Sequence, residues 1–189
     1  MTTHAPAPGP AGRPVVEPPS APVPDAVDAI IDQWARVRPE LDTRAMEVFG
    51  RITRLARAMA DRAERSYGRH GISRGEFDVL ATLRRSGEPY TLSPRQLAAT
   101  LMLTSGGMTG RLDKLERAEF LRRAPDPHDR RALRVTLTEE GLALVDRAVV
   151  TGLEVQQEAL AALDEERASE LAGLLRVLLT GVEGPAATD

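Results

Sequence analysis

Cysteine is absent from the 189 residues of this chain. That excludes disulfide scaffolds, thiol redox sensing and cysteine-ligated zinc. Histidine is scarce. His4, His70 and His128 lie too far apart in sequence to suggest a histidine-rich metal site. No run of about 18 apolar residues occurs, so neither a membrane-spanning helix nor a membrane partner is expected. The N-terminus lacks the apolar core of a secretory signal, which makes the cytoplasm the expected compartment. A Gly-x-Gly-x-x-Gly turn, a phosphate loop and a Ser/His/Asp set are all missing. Neither an enzyme nor a bound cofactor is therefore expected. Lysine occurs once, at Lys114.

What is present is ordinary in bulk and uneven in distribution. Hydrophobic residues make up 42% and charged residues 28%, the composition of a single globular domain with its own core. The net charge is -3, yet the stretch from Ser105 to Arg134 carries a local excess of +3. Its cations are arginines apart from Lys114, and arginine offers the better fork for phosphates and base edges. A general bias toward arginine contributes as well.

Eight of the 14 prolines fall in residues 1–24, with almost nothing large and apolar among them. That composition cannot offset its ordering entropy, so the segment reads as a disordered tail. Asp25 to Arg36 reads as a short helix, with Asp25 as its cap and Val27, Ile30, Ile31 and Trp34 at helical spacing. Leu41 to Tyr67 reads as a long amphipathic helix with a stripe through Met46, Phe49, Ile52, Leu55, Met59 and Ala63. Gly68 and Gly71 end it. Ser73 and Glu76 form a capping box for a helix to Arg85. Ser93-Pro94 starts another that ends near Leu101. Thr104 caps the next, to about Ala118.

Phe120 to Ala124 and Leu133 to Leu137 read as short strands. The run from Pro125 to Asp129 reads as the loop between them. Thr138 opens a long helix with Glu139 and Glu140 in its first turn, and Asp164 caps a last one. Two closely spaced short helices followed by a β-hairpin describe a winged helix-turn-helix, in a mostly α chain with a small β-wing.

The helix from Thr104 divides into two faces. Met108, Leu112 and Leu115 point inward. Gly106, Gly110, Asp113, Lys114 and Arg117 point outward, with Thr109 at the side. Each helical glycine costs roughly 1 kcal/mol relative to alanine. Glycines on an outer face let another backbone approach closely, and DNA is the natural candidate. A loose surface helix is the plain alternative. The expected DNA-contacting set is Ser93, Arg95, Thr104, Ser105, Gly106, Thr109, Gly110, Lys114 and Arg117, with Asp129, Arg130 and Arg131 at the tip of the wing. An arginine there enters the minor groove, and a nearby carboxylate holds its orientation. Alone, those three residues would read as a solvated charge cluster.

The run DPHDRRALRVTLTEEG, following LTSGGMTGRLDKLERAEFLRR, resembles the MarR family of bacterial transcriptional regulators over residues from about 40 to 180. Asp129 and Arg131 meet its wing signature, and Val135 its trailing apolar position. The resemblance implies a homodimer with interleaved terminal helices that reads a palindromic operator in double-stranded DNA, in most cases as a repressor. It implies dimerisation through residues 25–71, which also carry the ligand pocket, and through residues 138–189. Residues 72–137 are then the DNA-binding domain. The lack of cysteine and of clustered histidine separates the chain from the peroxide-sensing and zinc-sensing members.

The extra N-terminal helix with Trp34, then RGEFDVL and SGGMTGRL, is similar to the urate-responsive branch. That branch uses a tryptophan, an aspartate and two arginines, matched here by Trp34, Asp78, Arg111 and Arg123. The implied ligand is a small anionic metabolite, urate or xanthine, with trans-aconitate as the alternative. Arg111 lies about 60° from the apolar axis of its helix. It therefore points toward the domain and needs a partner. Asp78, embedded in FDVLATL, needs one too, because a buried lone carboxylate is costly. The two are expected to pair. A planar anion would compete for both, with arginine forks on its oxygens and Trp34 on its face. A structural Asp–Arg pair with Trp34 as a packing anchor is the reading without a ligand. A DNA-binding or architectural protein that senses nothing is the remaining alternative.

Overall fold

The computed structural model describes residues 23–127, 129 and 132–184. The predicted tail therefore lies outside the described residues up to position 22, as do Arg130 and Arg131 of the wing. In order, the elements are α1 (Ala26–Val37), α2 (Arg44–Gly68), α3 (Arg74–Arg85), β1 (Thr91–Leu92), α4 (Pro94–Thr100), α5 (Ser105–Arg117), β2 (Leu121–Pro125), β3 (Leu133–Leu137), α6 (Glu139–Leu160) and α7 (Glu165–Glu183).

Local chemistry explains most of the boundaries. Side-chain oxygens of Asp25, Ser73, Ser93, Thr104, Thr138 and Asp164 each accept a backbone N–H of the helix that follows. Such caps satisfy donors that have no partner within the helix. The boxes at Ser73/Glu76, Ser93/Gln96 and Asp25/Asp28 are complete in both directions. Gly71 adopts φ +75 just after α2, where a side chain would be strained.

The sheet has the order β1-β3-β2 and is antiparallel throughout. Arg123 stands opposite Val135, and Pro125 opposite Leu133. Pro125 thus ends a strand rather than starting the loop. It is tolerated because β2 is an edge strand. β1 was not expected. It is two residues long and exists through its pairing with Thr136 and Val135 of β3.

The core lies between α3, α4, α5, the sheet and the start of α6. Val79, Leu80, Leu83, Leu97 and Val135 are fully buried, and Met108, Leu112 and Leu115 bring the inner face of α5 against them. α6 approaches the root of the wing closely enough that a Cβ on Gly141 would stand 1.9 Å from the Phe120 carbonyl oxygen. Only glycine fits there.

The terminal helices are different. α1 rests on α2 through Val27, which meets Gly50, and through Arg51, whose guanidinium bridges Asp25 at 2.9 Å and Asp28 at 2.6 Å. Trp34, Met46, Phe49 and Leu55 remain exposed, as do Val149 and Leu153 of α6. α7 has no buried residue at all, although Leu171, Leu174, Leu175, Leu178 and Leu179 recur along it. No described helix is long and apolar enough to cross a membrane.

Candidate functional site

The outer face of α5 is open. A Cβ added at Gly106 or Gly110 would meet nothing within 4 Å. The fold itself therefore does not require glycine at either position. Thr109 and Arg117 are exposed beside them. Lys114 is extended, its ammonium 3.7 Å from Glu76. Arg117 donates to the Asp113 carbonyl one turn back, at 3.0 Å. Thr104 caps α5 by accepting from the Gly107 N–H at 3.3 Å, and Ser105 is the first helical residue.

On α4, Ser93 serves as the cap and Arg95 is exposed. Asp129 is exposed between β2 and β3, and its carbonyl accepts from Ala132 N–H at 2.9 Å. Of the expected residues on α4 and α5, Arg95, Thr104, Gly106, Thr109, Gly110, Lys114 and Arg117 are exposed and Ser93 is half-buried.

The four expected ligand residues are arranged less simply. Arg111 turns back to the domain as its position on the helix requires. Its partner is not Asp78. Nη1 donates to the Gly75 carbonyl at 3.3 Å, and the guanidinium lies where a Cβ on Gly75 would stand, 2.6 Å from Cζ. The missing side chain of Gly75 creates the seat, so the arginine settles on the first turn of α3.

Asp78, one turn further on, is only half-buried and no ion pair joins it to Arg111. Burial pushes its carboxyl above the usual carboxylate range, and the charges of Arg74, Arg111 and Arg85 oppose that shift. It lines a cavity of about 490 Å³ between α2, α3 and α6, together with Tyr67, Arg74, Phe77 and Gln156. Of the four expected residues only Asp78 lines that cavity.

Arg123 binds α5. Its guanidinium is 2.7 Å from Asp113 and 2.5 Å from Glu116, and its backbone N–H donates to Glu116 at 2.9 Å. These carboxylates hold the arginine more firmly charged, and Arg123 in turn keeps Glu116 below its ordinary range. β2 is thereby clamped to α5. Trp34 sits near the end of α1 at 38% exposure. A single copy does not gather the four into one pocket.

Comparison with known proteins resolves the family. The model described as MarR family matches residues 70–132. The HTH-type transcriptional regulator PecS of Dickeya dadantii is 41% identical over 150 residues, which is 79% of this chain and 90% of PecS. The chain belongs to the MarR family. Within it, the likeness to PecS assigns the chain to the PecS-like branch of DNA-binding transcriptional regulators. A second relative, the uncharacterised HTH-type transcriptional regulator YkoM of Bacillus subtilis, is 35% identical over 55% of this chain and 66% of its own.

Solved structures carry the same fold. AbsC, a MarR family regulator from Streptomyces coelicolor, superposes with a TM-score of 0.66 at 20% identity, covering 77% of this chain and 99% of its own. MepR of S. aureus, solved as a DNA complex, gives 0.64 at 22% identity over 71% and 97% of the two chains.

Some residues of this candidate site escape a reading of the sequence. Asp113 and Glu116 look like solvated acids on a helix, yet they hold Arg123. Gly75 looks like a weak point in a helix, yet it seats Arg111. A glycine in a capped first turn, with an inward-leaning arginine elsewhere, was the available signal. Arg74 and Gln156 carried none, because the cavity forms from three elements distant in sequence.

Proposed function

We propose that this protein is a homodimeric transcriptional regulator, acting as a repressor, that binds a palindromic operator and leaves it when a small anionic metabolite binds. The preferred ligand is urate or a related purine such as xanthine. The observation that carries the reading is the threefold division of α5. Its inner stripe is core, its outer glycine face is open, and Arg111 between them is tied to α3. A ligand that draws Arg111 away therefore acts on the helix that reads DNA.

Dimerisation rests on the uncovered apolar side chains of α1, α2, α6 and α7, which a second copy would bury. The dimer helices are then those of residues 25–71 and 138–189, and residues 72–137 read DNA. Ser93, Arg95, Thr104, Ser105, Gly106, Thr109, Gly110, Lys114 and Arg117 face the major groove and its phosphates. Asp129, Arg130 and Arg131 belong to the wing and the minor groove. Trp34, Asp78, Arg111 and Arg123 respond to the ligand, Arg123 by exchanging Asp113 and Glu116 for an incoming anion.

A second ligand class has its own support. Trp34 stands apart from the Asp78 cavity, so a polyanion such as trans-aconitate, which needs arginines and no stacking partner, also suits the arrangement. The test is a titration of the preformed complex between the protein and its own upstream DNA, at fixed salt and pH. Urate, xanthine and trans-aconitate are added in parallel. Release by the purines, lost in Trp34→Ala, supports the purine reading. Release by trans-aconitate alone replaces it with the polyanion. Release by none refutes the metabolite response.

A further inference from the structure

The long helix α2 has two opposed faces. Met46, Phe49, Ile52, Met59 and Ala63 form its apolar stripe. Arg54, Arg57, Arg62 and Arg65, with Arg69 just past the last turn, lie on the other side, within about 140° of one another around the axis. All five are exposed. The acids between positions 54 and 69 are Asp61 and Glu64, and Glu64 already accepts from the Arg74 N–H at 2.9 Å.

Such a face works against the helix that carries it. Arg54 with Arg57, Arg62 with Arg65, and Arg65 with Arg69 are like charges three or four residues apart, and they repel across one turn. The ion pairs of the described residues relieve Arg51, Arg84 and Arg123, but none of these five. Arg51, one turn before the stripe, shows what the face takes. Its guanidinium grips two carboxylates, those of Asp25 and Asp28 on α1. Beyond Arg51 the fold supplies no such anions, so they must come from outside.

The arginines run over about 22 Å, the length of six or seven base pairs. Guanidinium groups fork onto phosphate oxygens, and phosphates ask only for charge. Between the arginines the face offers only Ala58, Asp61 and Gly68, so a folded acidic partner would find nothing apolar to bury. α2 packs chiefly on α1, α3 and α6, whereas α5 packs on α3, α4 and β2. A duplex lying on α5 therefore leaves the arginines of α2 to another stretch of DNA.

We propose that the Arg54–Arg69 face of α2 is a second DNA surface, which grips the phosphates of a separate duplex without reading its bases while α5 holds the operator. The proposal depends on the DNA-binding role of the chain and not on a metabolite. To test it, the full chain is saturated with an unlabelled duplex from its own upstream region, which occupies α5. Anisotropy then follows a labelled duplex of unrelated sequence. The wild type is expected to capture that duplex. Between about 50 and about 200 mM salt its affinity should fall about 3.5-fold per engaged phosphate, or about 500-fold with all five arginines engaged.

Arg62→Gln, Arg65→Gln and Arg69→Gln together are expected to weaken capture by about tenfold or more at the lower salt and to reduce the salt effect to about tenfold. Glutamine is as good a helix former as arginine, so the fold survives. The corresponding triple lysine variant keeps the charge and should keep most of the capture. A charge-matched control, Arg36→Gln with Arg147→Gln and Arg176→Gln, removes three exposed charges elsewhere and should capture as the wild type does. No capture by the wild type overturns the proposal, as does undiminished capture by the glutamine variant. Equal loss in the control would assign the effect to net charge and overturn it too. Loss that accompanies a changed sedimentation coefficient would give the face to a second copy of the chain instead of DNA.

Discussion

Replacing Gly106 and Gly110 by alanine should make the protein more stable and worse at holding DNA. A Cβ at either position meets nothing within 4 Å, so no repacking opposes it. Alanine in a helix interior is favoured over glycine by about 1 kcal/mol. Gly110 lies in the interior of α5, whereas Gly106 lies in its first turn, where the gain is smaller. Together they should add about 1–1.5 kcal/mol, which for a chain of this size raises Tm by about 2–6 °C. The melting curves must be compared at one protein concentration, because the proposed dimerisation would contribute to apparent stability.

Operator affinity, followed by anisotropy at fixed salt, should fall in the same variant. Two methyl groups would then stand where a phosphodiester backbone or base edge has to come close. The opposite signs are the point of the test. A variant that melts higher and binds DNA as tightly as the wild type would refute the reasoning, and the glycines would then be incidental. A variant that melts lower would mean that something else packs on this face.

Arg123→Ala should cost about 1 kcal/mol, because two partly exposed ion pairs are lost, and lower Tm by about 2–4 °C. On the sensing role given to Arg123, ligand-driven release is blunted while DNA binding largely remains; loss of DNA binding in a folded dimer would assign it to reading instead. Gly141→Ala should be far more damaging, with a Cβ driven to 1.9 Å from the Phe120 carbonyl. Overpacking of that kind costs about 1–3 kcal/mol or more, and a melting temperature within a degree of wild type would contradict it.

Asp78→Asn should raise Tm at neutral pH. The raised carboxyl favours the neutral form in the fold, so its contribution is full below the ordinary aspartate range and is lost as pH rises through the raised value. The difference between variant and wild type should therefore vanish in acid, and a difference independent of pH would point to packing.

Much of the fold was legible because its signals are local. Ser73 with Glu76, Ser93 before Pro94, and Thr104, Thr138 and Asp164 each mark a helix start within three residues of sequence. The inner stripe of α5 followed from its period alone. What depended on distant partners was not legible. β1 has no pattern of its own and is a strand only because β3 passes beside it. Asp78 and Arg111 were matched as two groups in need of partners, which is sound chemistry with no knowledge of distance. Gly75 offered a nearer acceptor, and partial exposure left Asp78 with less need of a cation. Arg123 enters the ligand set through the family resemblance, and its carboxylate partners Asp113 and Glu116 were not legible because they lie on another element.

The contact between Gly141 and Phe120 joins the root of the wing to the first turn of α6, while Val149, Val150, Leu153 and Leu160 further along the same helix remain uncovered. α6 is 22 residues long, so its two ends lie about 33 Å apart. It is a lever with the wing at one end. In the proposed dimer, a tilt of about 5° at the subunit contact would carry the wing by about 3 Å, close to the axial rise of about 3.4 Å per base pair of DNA. The distance between two wings would then be set by the angle at which two such levers meet, so a change too small to disturb any core contact could still move both wings out of register with the operator.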